Sequence, residues 1–147
     1  RRGSPRKLGV PGEESKKVAY RLLEPENIAG KKILIVGGGD SAVESAMLLM
    51  NDNNVTLSYR KSSFSRIKSA NRIALDKAIL DDVLRVIYDS NVLEILDGHV
   101  FLETSVDSQE IQNDLVYIFV GGEMPTKFLQ NAGVQVEKRF GKIVKEY

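Results

Sequence analysis

Hydrophobic and polar positions follow a different rhythm in each part of this chain. Residues 1–16 mix charges with Gly3, Pro5, Gly9, Pro11 and Gly12. That spacing predicts a loop or arm, because a proline disfavours helix in the residue before it. Residues 18–23 are apolar enough to dock on a neighbouring surface, and Glu24, Pro25, Glu26 and Asn27 predict a turn. The pattern then sharpens. Lys32 leads into Ile33, Leu34, Ile35 and Val36, an apolar run that stops at three glycines, as a buried parallel strand would. Residues 40–50 switch to helical spacing, with Ala42, Val43, Ala46, Met47, Leu49 and Met50 on one face and Glu44 and Ser45 away from its centre. Asn51, Asp52, Asn53 and Asn54 end that helix, and residues 55–59 read as a second strand. Residues 32–59 are therefore predicted to form a βαβ unit.

Further along, residues 69–83 predict a second helix with Ile73, Leu75, Ala78, Ile79 and Val83 as its buried stripe. Short strands are expected over residues 84–88, 92–96 and 100–104, with a hairpin at Asp97-Gly98. Residues 115–120 predict another buried strand, ended by Gly121 and Gly122, and Pro125 is suited to open a short helix. The expected fold class is α/β, a Rossmann-like three-layer NAD(P)-binding domain with a central parallel sheet and a small antiparallel β-meander.

Composition removes several chemistries. The 147 residues suffice for one domain with a core, and 42% apolar with 28% charged residues is ordinary for a globular protein. A formal net charge of +1 gives no basic excess for tracking nucleic acid. With no cysteine there is no disulfide, thiolate nucleophile or dithiol centre, and a single histidine, His99, argues against a His-based metal site. His99 reads as a surface turn residue. No apolar run approaches the ~18 residues of a membrane span and no signal peptide is visible, so the default expectation is a cytoplasmic protein. The chain opens on Arg1 and Arg2 rather than Met, which fits a piece of a longer protein and equally a trimmed tag.

The candidate chemistry lies at the end of the first strand. Gly37, Gly38, Gly39, Asp40, Ser41 and Ala42 fit G-x-G-x-x-A. The first glycine permits a tight turn, the second lets backbone approach a pyrophosphate, and a small residue at Ala42 lets helix and strand pack closely. The pyrophosphate would meet the helix N-terminus, where unpaired N–H groups and the helix dipole favour negative charge. A ligand-free glycine turn has the same pattern, but the strand before it and the amphipathic helix after it favour the binding reading. Asp40 would be repulsive if aimed at phosphates, so it is expected to cap the helix or bond backbone.

An NAD site places a carboxylate about 20 residues after the glycines, on the ribose hydroxyls. Here that region holds Ser58, Tyr59 and Arg60, followed by Lys61, Arg66 and Lys68 with serines between them. Guanidinium groups and hydroxyls suit a 2′-phosphate, which an acid would repel. The sequence thus favours NADPH over NADH, with Arg60 first and Arg66 second among its ligands; a solvated basic loop is the plain alternative. Phe64 would stack on adenine or pack beneath the loop.

These residues resemble the NADPH domain of thioredoxin-reductase-like, FAD-dependent pyridine nucleotide oxidoreductases, over nearly the whole chain. The stretch from Arg2 to Glu13 is similar to the exit from that family's first FAD-binding half, and residues 30–42 to its NADPH strand and loop. Tyr59, Arg60 and Lys61 with Phe64 and Arg66 resemble its His-Arg-Arg-x-x-Phe-Arg segment, the last arginine sitting one place late. Residues 113–126 resemble its closing strand and Gly-x-x-Pro segment, so Gly121 and Gly122 line the nicotinamide side or simply turn the chain. The reductases proper carry Cys-x-x-Cys where this chain has Tyr20 and Leu23.

The resemblance implies an arm over residues 1–30 leaving a FAD-binding half, an NADPH-binding domain over 31–126, and a return segment over 127–147. It implies FAD in a full-length parent but not on these residues alone, with the parent's FAD-binding halves as partners. Beyond the flavin it implies a non-dithiol acceptor such as ferredoxin or an iron–sulfur module. A homodimeric parent is compatible with it. No catalytic acid or base is required, because hydride passes directly from nicotinamide to flavin. The alternatives are a stand-alone nucleotide-binding or sensory module and a flavin-free dehydrogenase, for which His99 and Tyr117 supply no catalytic set.

Overall fold

The computed structural model describes residues 7–64 and 66–120. Gly121, Gly122 and the expected helix at Pro125 lie outside the described residues. In chain order the elements are β1 (Val18–Ala19), a 3-10 turn (Pro25–Asn27), β2 (Lys32–Val36), α1 (Asp40–Leu49), β3 (Asn54–Ser58), α2 (Ser69–Leu80), β4 (Arg85–Ile87), β5 (Asn91–Ile95), β6 (His99–Glu103), β7 (Ser108–Gln112) and β8 (Leu115–Ile118). The parallel sheet has the order β1-β8-β2-β3-β4, and β5-β6-β7 form a separate antiparallel sheet.

Side-chain alternation along the parallel strands explains the three layers. Ile33, Ile35, Val55, Leu57 and Tyr117 point into the core shared with the helices, which also buries Ala42, Val43, Ala46 and Leu49. Leu34, Val36, Val116 and Ile118 point the other way, against Val92, Ile95, Val100 and Leu102 of the antiparallel sheet. Strands covered on both faces have no polar side to show, which is why β2 reads as a continuous apolar run.

Several expectations need correction. The stripe assigned to α2 is mostly exposed: only Leu75 and Ala78 are buried in the helix, while Ile73 is 69% exposed and Ile79 and Val83 also face solvent. The helix stops at Leu80 because Asp82 takes a left-handed conformation (φ 61°). Val83 N–H then bonds Ala78 O and Asp82 N–H bonds Ile79 O, a Schellman stop with aspartate in the usual glycine position. Ser45, expected away from the centre of α1's apolar face, is buried as well. β7 has no counterpart in the sequence reading: its residues are mostly polar, and its strand form comes from pairing along β6. His99 opens β6 rather than sitting in a turn; the Asp97-Gly98 hairpin does join β5 to β6.

The segment before β2 is part of this architecture. β1 pairs in parallel with β8, Val18 opposite Val116. Ahead of it the buried Glu13 carboxylate accepts the N–H groups of Leu8 and Gly9 and the Tyr20 hydroxyl, each at 2.7 Å. Burial by itself would raise the Glu13 pKa, but these bonds outweigh it and hold the carboxyl below its ordinary 4.5. Burial first, then the bond to Glu13 and its charge, push the Tyr20 hydroxyl up to about 12.

Candidate functional site

All strands of the parallel sheet end at the same side, and β2 stands between neighbours reached in opposite directions along the sheet, β3 and β8. Such a switch point opens a crevice at the carboxyl ends of the strands. The glycine loop leaves β2 there. Gly37 N–H bonds Ser58 O at 3.0 Å, and Phe119 N–H bonds Val36 O at 2.8 Å, so the loop is stitched to both neighbours.

The three glycines have different reasons to be glycine. Gly37 is buried at φ 143°, and a Cβ there would lie 2.5 Å from the Phe119 carbonyl oxygen. At Gly38 a Cβ would collide with the Tyr59 ring, 2.1 Å from its Cε1. At Gly39 nothing lies within 4 Å of that point, leaving the backbone open to an approaching group. Gly39 is also the N-cap of α1 and supplies no side-chain cap, so the first-turn N–H groups keep their capacity for an anion. A pyrophosphate fits this bare, uncapped helix end. Ser41 is exposed in the first turn, and Ala42 is buried where helix meets strand.

Asp40 is the first residue of α1, not its N-cap. Its Oδ1 accepts the Lys68 N–H at 2.9 Å and the Asn71 Nδ2 at 2.7 Å, so the expected backbone bond is made to the other helix. Those bonds, the Lys68 N–H first, lower its pKa from the ordinary 3.8. Asn71 Nδ2 also donates to Glu44 of α1 at 2.9 Å.

The loop between β3 and α2 carries Arg60, Lys61 and Arg66, all exposed. Tyr59 begins it, its ring over Gly38 and stacked on Phe64 at 4.8 Å between centroids. Phe64 is 4% exposed, edge-on to Tyr88, so it packs beneath the loop. The Arg72 guanidinium of α2 donates to the Phe64 carbonyl. Beneath the loop, Ser58 and Ser90 form a buried hydroxyl pair at 2.6 Å. A carboxylate does stand beside the loop, but it comes from the end of β4. Asp89 accepts the Ser62 hydroxyl at 3.0 Å, and its N–H bonds Lys61 O. The spacing rule points only to the end of β3, and nothing local at Ser62 signals a partner 27 residues further on.

The residues with acid–base potential do not gather here. His99 Nε2 lies 3.0 Å from Glu110 in the antiparallel sheet, and Tyr117 is buried in the helix-side core. A depression of about 540 Å³ is lined by Lys32, His99, Gln112, Asn113 and Asp114 at the other end of β2, away from the glycine loop. Among the described residues no cluster could hold a metal ion and no helix is long and apolar enough to cross a membrane.

Residues 2–146 match the sequence profile of the pyridine nucleotide-disulphide oxidoreductases. The chain is 33% identical to the ferredoxin–NADP reductase of Thermus thermophilus over 91% of its own length and 43% of that protein. It is 33% identical to the thioredoxin reductase of Listeria monocytogenes, covering 88% of this chain and 43% of that protein. Among solved structures it superposes on the bacillithiol disulfide reductase of Bacillus cereus with a TM-score of 0.83 at 27% identity, over 94% of this chain and 43% of that one. The chain thus spans less than half the length of these relatives.

Proposed function

Because the chain belongs to the pyridine nucleotide-disulphide oxidoreductase family, we propose that it is the NADPH-holding part of a flavin-dependent reductase. In this reading residues 1–30 and 127–147 connect a nucleotide-binding unit, residues 31–126, to FAD-binding halves of a longer protein, the first of these segments also lending β1 to the unit's sheet. The observation that carries it is the juxtaposition, at one end of the parallel sheet, of the bare Gly39 backbone with a basic loop anchored beside it.

Gly39 and the first turn of α1 hold the pyrophosphate; Arg60 and Arg66, with Lys61, hold the 2′-phosphate. Tyr59 keeps its ring against Gly38 and shapes the floor between the two anion sites. Gly121 and Gly122 line the nicotinamide side. NADPH supplies a hydride to the flavin, and the chain's own work is positioning and electrostatics. Lacking cysteines, this part of the protein passes no electrons through its own thiols. We place the acceptor among ferredoxins or iron–sulfur modules, in line with the relative named for ferredoxin.

Calorimetric titration of the complete protein with NADPH and NADH, for wild type and Arg60→Ala, tests the reading. Wild type should prefer NADPH, and the variant should lose roughly 1–3 kcal/mol with NADPH only. Equal binding of both nucleotides, unchanged in the variant, would remove NADPH from the proposal. Ferredoxin reduction by the NADPH-loaded protein, scored against a disulfide substrate, tests the acceptor.

A further inference from the structure

The basic loop is fastened at both ends to the glycine loop. At its start the Tyr59 ring packs on Gly38. At its end the fastening is one carboxylate, Asp40, which reaches from α1 to the Lys68 N–H and the Asn71 amide. Lys68 is the N-cap of α2 and makes no side-chain cap bond. In an ordinary capping box the third helical residue sends a carboxylate back to the N-cap N–H. Here the third residue is Asn71, a donor, and the carboxylate comes from the neighbouring helix. Asp40 therefore sits in the first turn of one helix and caps the other, where its charge suits both dipoles.

Resting on the NADPH reading above, we propose that Asp40 is a positioning residue. It fixes the basic loop against the glycine loop and so sets selectivity for the 2′-phosphate without bonding a phosphate itself. The argument is one of order. With both ends tied, the loop meets the ligand already placed; with one end released, binding must also order the loop. Only a ligand that uses the loop bears that cost. A purely electrostatic role makes the opposite prediction, since removing a carboxylate near two anion sites would tighten every phosphorylated ligand.

The test uses the complete protein and two ligands that differ only in the 2′-phosphate, 2′-phospho-ADP-ribose and ADP-ribose. Asp40→Ala should weaken the first about tenfold and the second less than about twofold. Asp40→Asn keeps an oxygen for both donors and should retain most of the affinity. In an Arg60→Ala background, Asp40→Ala should add less than about a further twofold, because the two residues act through one loop. Asn71→Ala, which removes one donor from the tie, should give a smaller loss of the same selectivity, and it answers the question if Asp40→Ala folds poorly. Equal losses for both ligands, tighter binding of either, or full additivity with Arg60→Ala would overturn the proposal. A wild type that does not distinguish the two ligands would instead overturn the NADPH reading, before any Asp40 variant is considered.

Discussion

The two helices lie on the same face of the same sheet, yet they are held there by different means. α1 buries Ala42, Val43, Ser45, Ala46 and Leu49 within ten residues, so it is fixed along its length by packing. α2, two residues longer, buries Leu75 and Ala78 alone and leaves Leu80 85% exposed. Its placement depends more on polar ties at its N-terminus, through Asp40 and Arg72, and on the Schellman stop at its end. Under the proposed nucleotide-binding reading, the difference follows from what each helix presents. α1 would offer its N-terminus to the phosphates, which calls for a fixed axis. α2 would carry one end of a loop whose side chains reach the ligand. Rigid packing and polar fastening would then serve neighbouring parts of one proposed site.

Breaking α1's packing should have the largest effect. Leu49→Ala should destabilise the protein by about 3 kcal/mol in denaturant unfolding, since the side chain is fully buried beside the sheet. A loss below about 1 kcal/mol would show that α1 is not packing-controlled. At the mouth of the same helix, Gly37→Ala combines a left-handed φ with a backbone clash and should cost about 2 kcal/mol. Gly39→Ala should change stability by less than about 0.5 kcal/mol while reducing nucleotide affinity, which separates folding from binding within one loop.

The polar fastening of α2 should respond to acid. The Asp40 pKa is lowered from 3.8, so the tie is complete above that value and is lost as pH falls through the lower folded-state value. Amide exchange in the first turn of α2 should then quicken on acidification ahead of that in α1. Equal acceleration in both helices would remove the distinction. The smallest change is expected at Leu80→Ser, within about 0.5 kcal/mol by thermal unfolding, because that side chain packs on little.

What the sequence disclosed and what it withheld divide along the same line. The β2-α1-β3 unit was legible because its signals are local: an apolar run, a glycine stop, then helical spacing. β1 and β7 were not, since each is a strand only by virtue of its partner. α2 was overextended because Asp82 fills a role that glycine usually announces. At the site, the glycine loop and the basic loop could be read from spacing. The Tyr59 ring over Gly38, the Asp89 carboxylate and the Asp40 tie join residues far apart in the chain, and no local pattern encodes them. Asn53 is a similar case. Read as a helix terminator, it is buried and donates to both Ile28 O and Leu49 O.

The strand order carries a consequence for the growing chain. β8 lies between β1 and β2, so the fully buried seam of the sheet is completed by the last strand described. Until residues 115–118 have left the ribosome, β2 keeps one edge of its backbone unpaired beside Ile33, Leu34 and Ile35. An open apolar edge of that kind invites pairing with other chains. Chains halted before Leu115 should therefore depend on chaperones for solubility, and the arrival of one short strand closes that hazard.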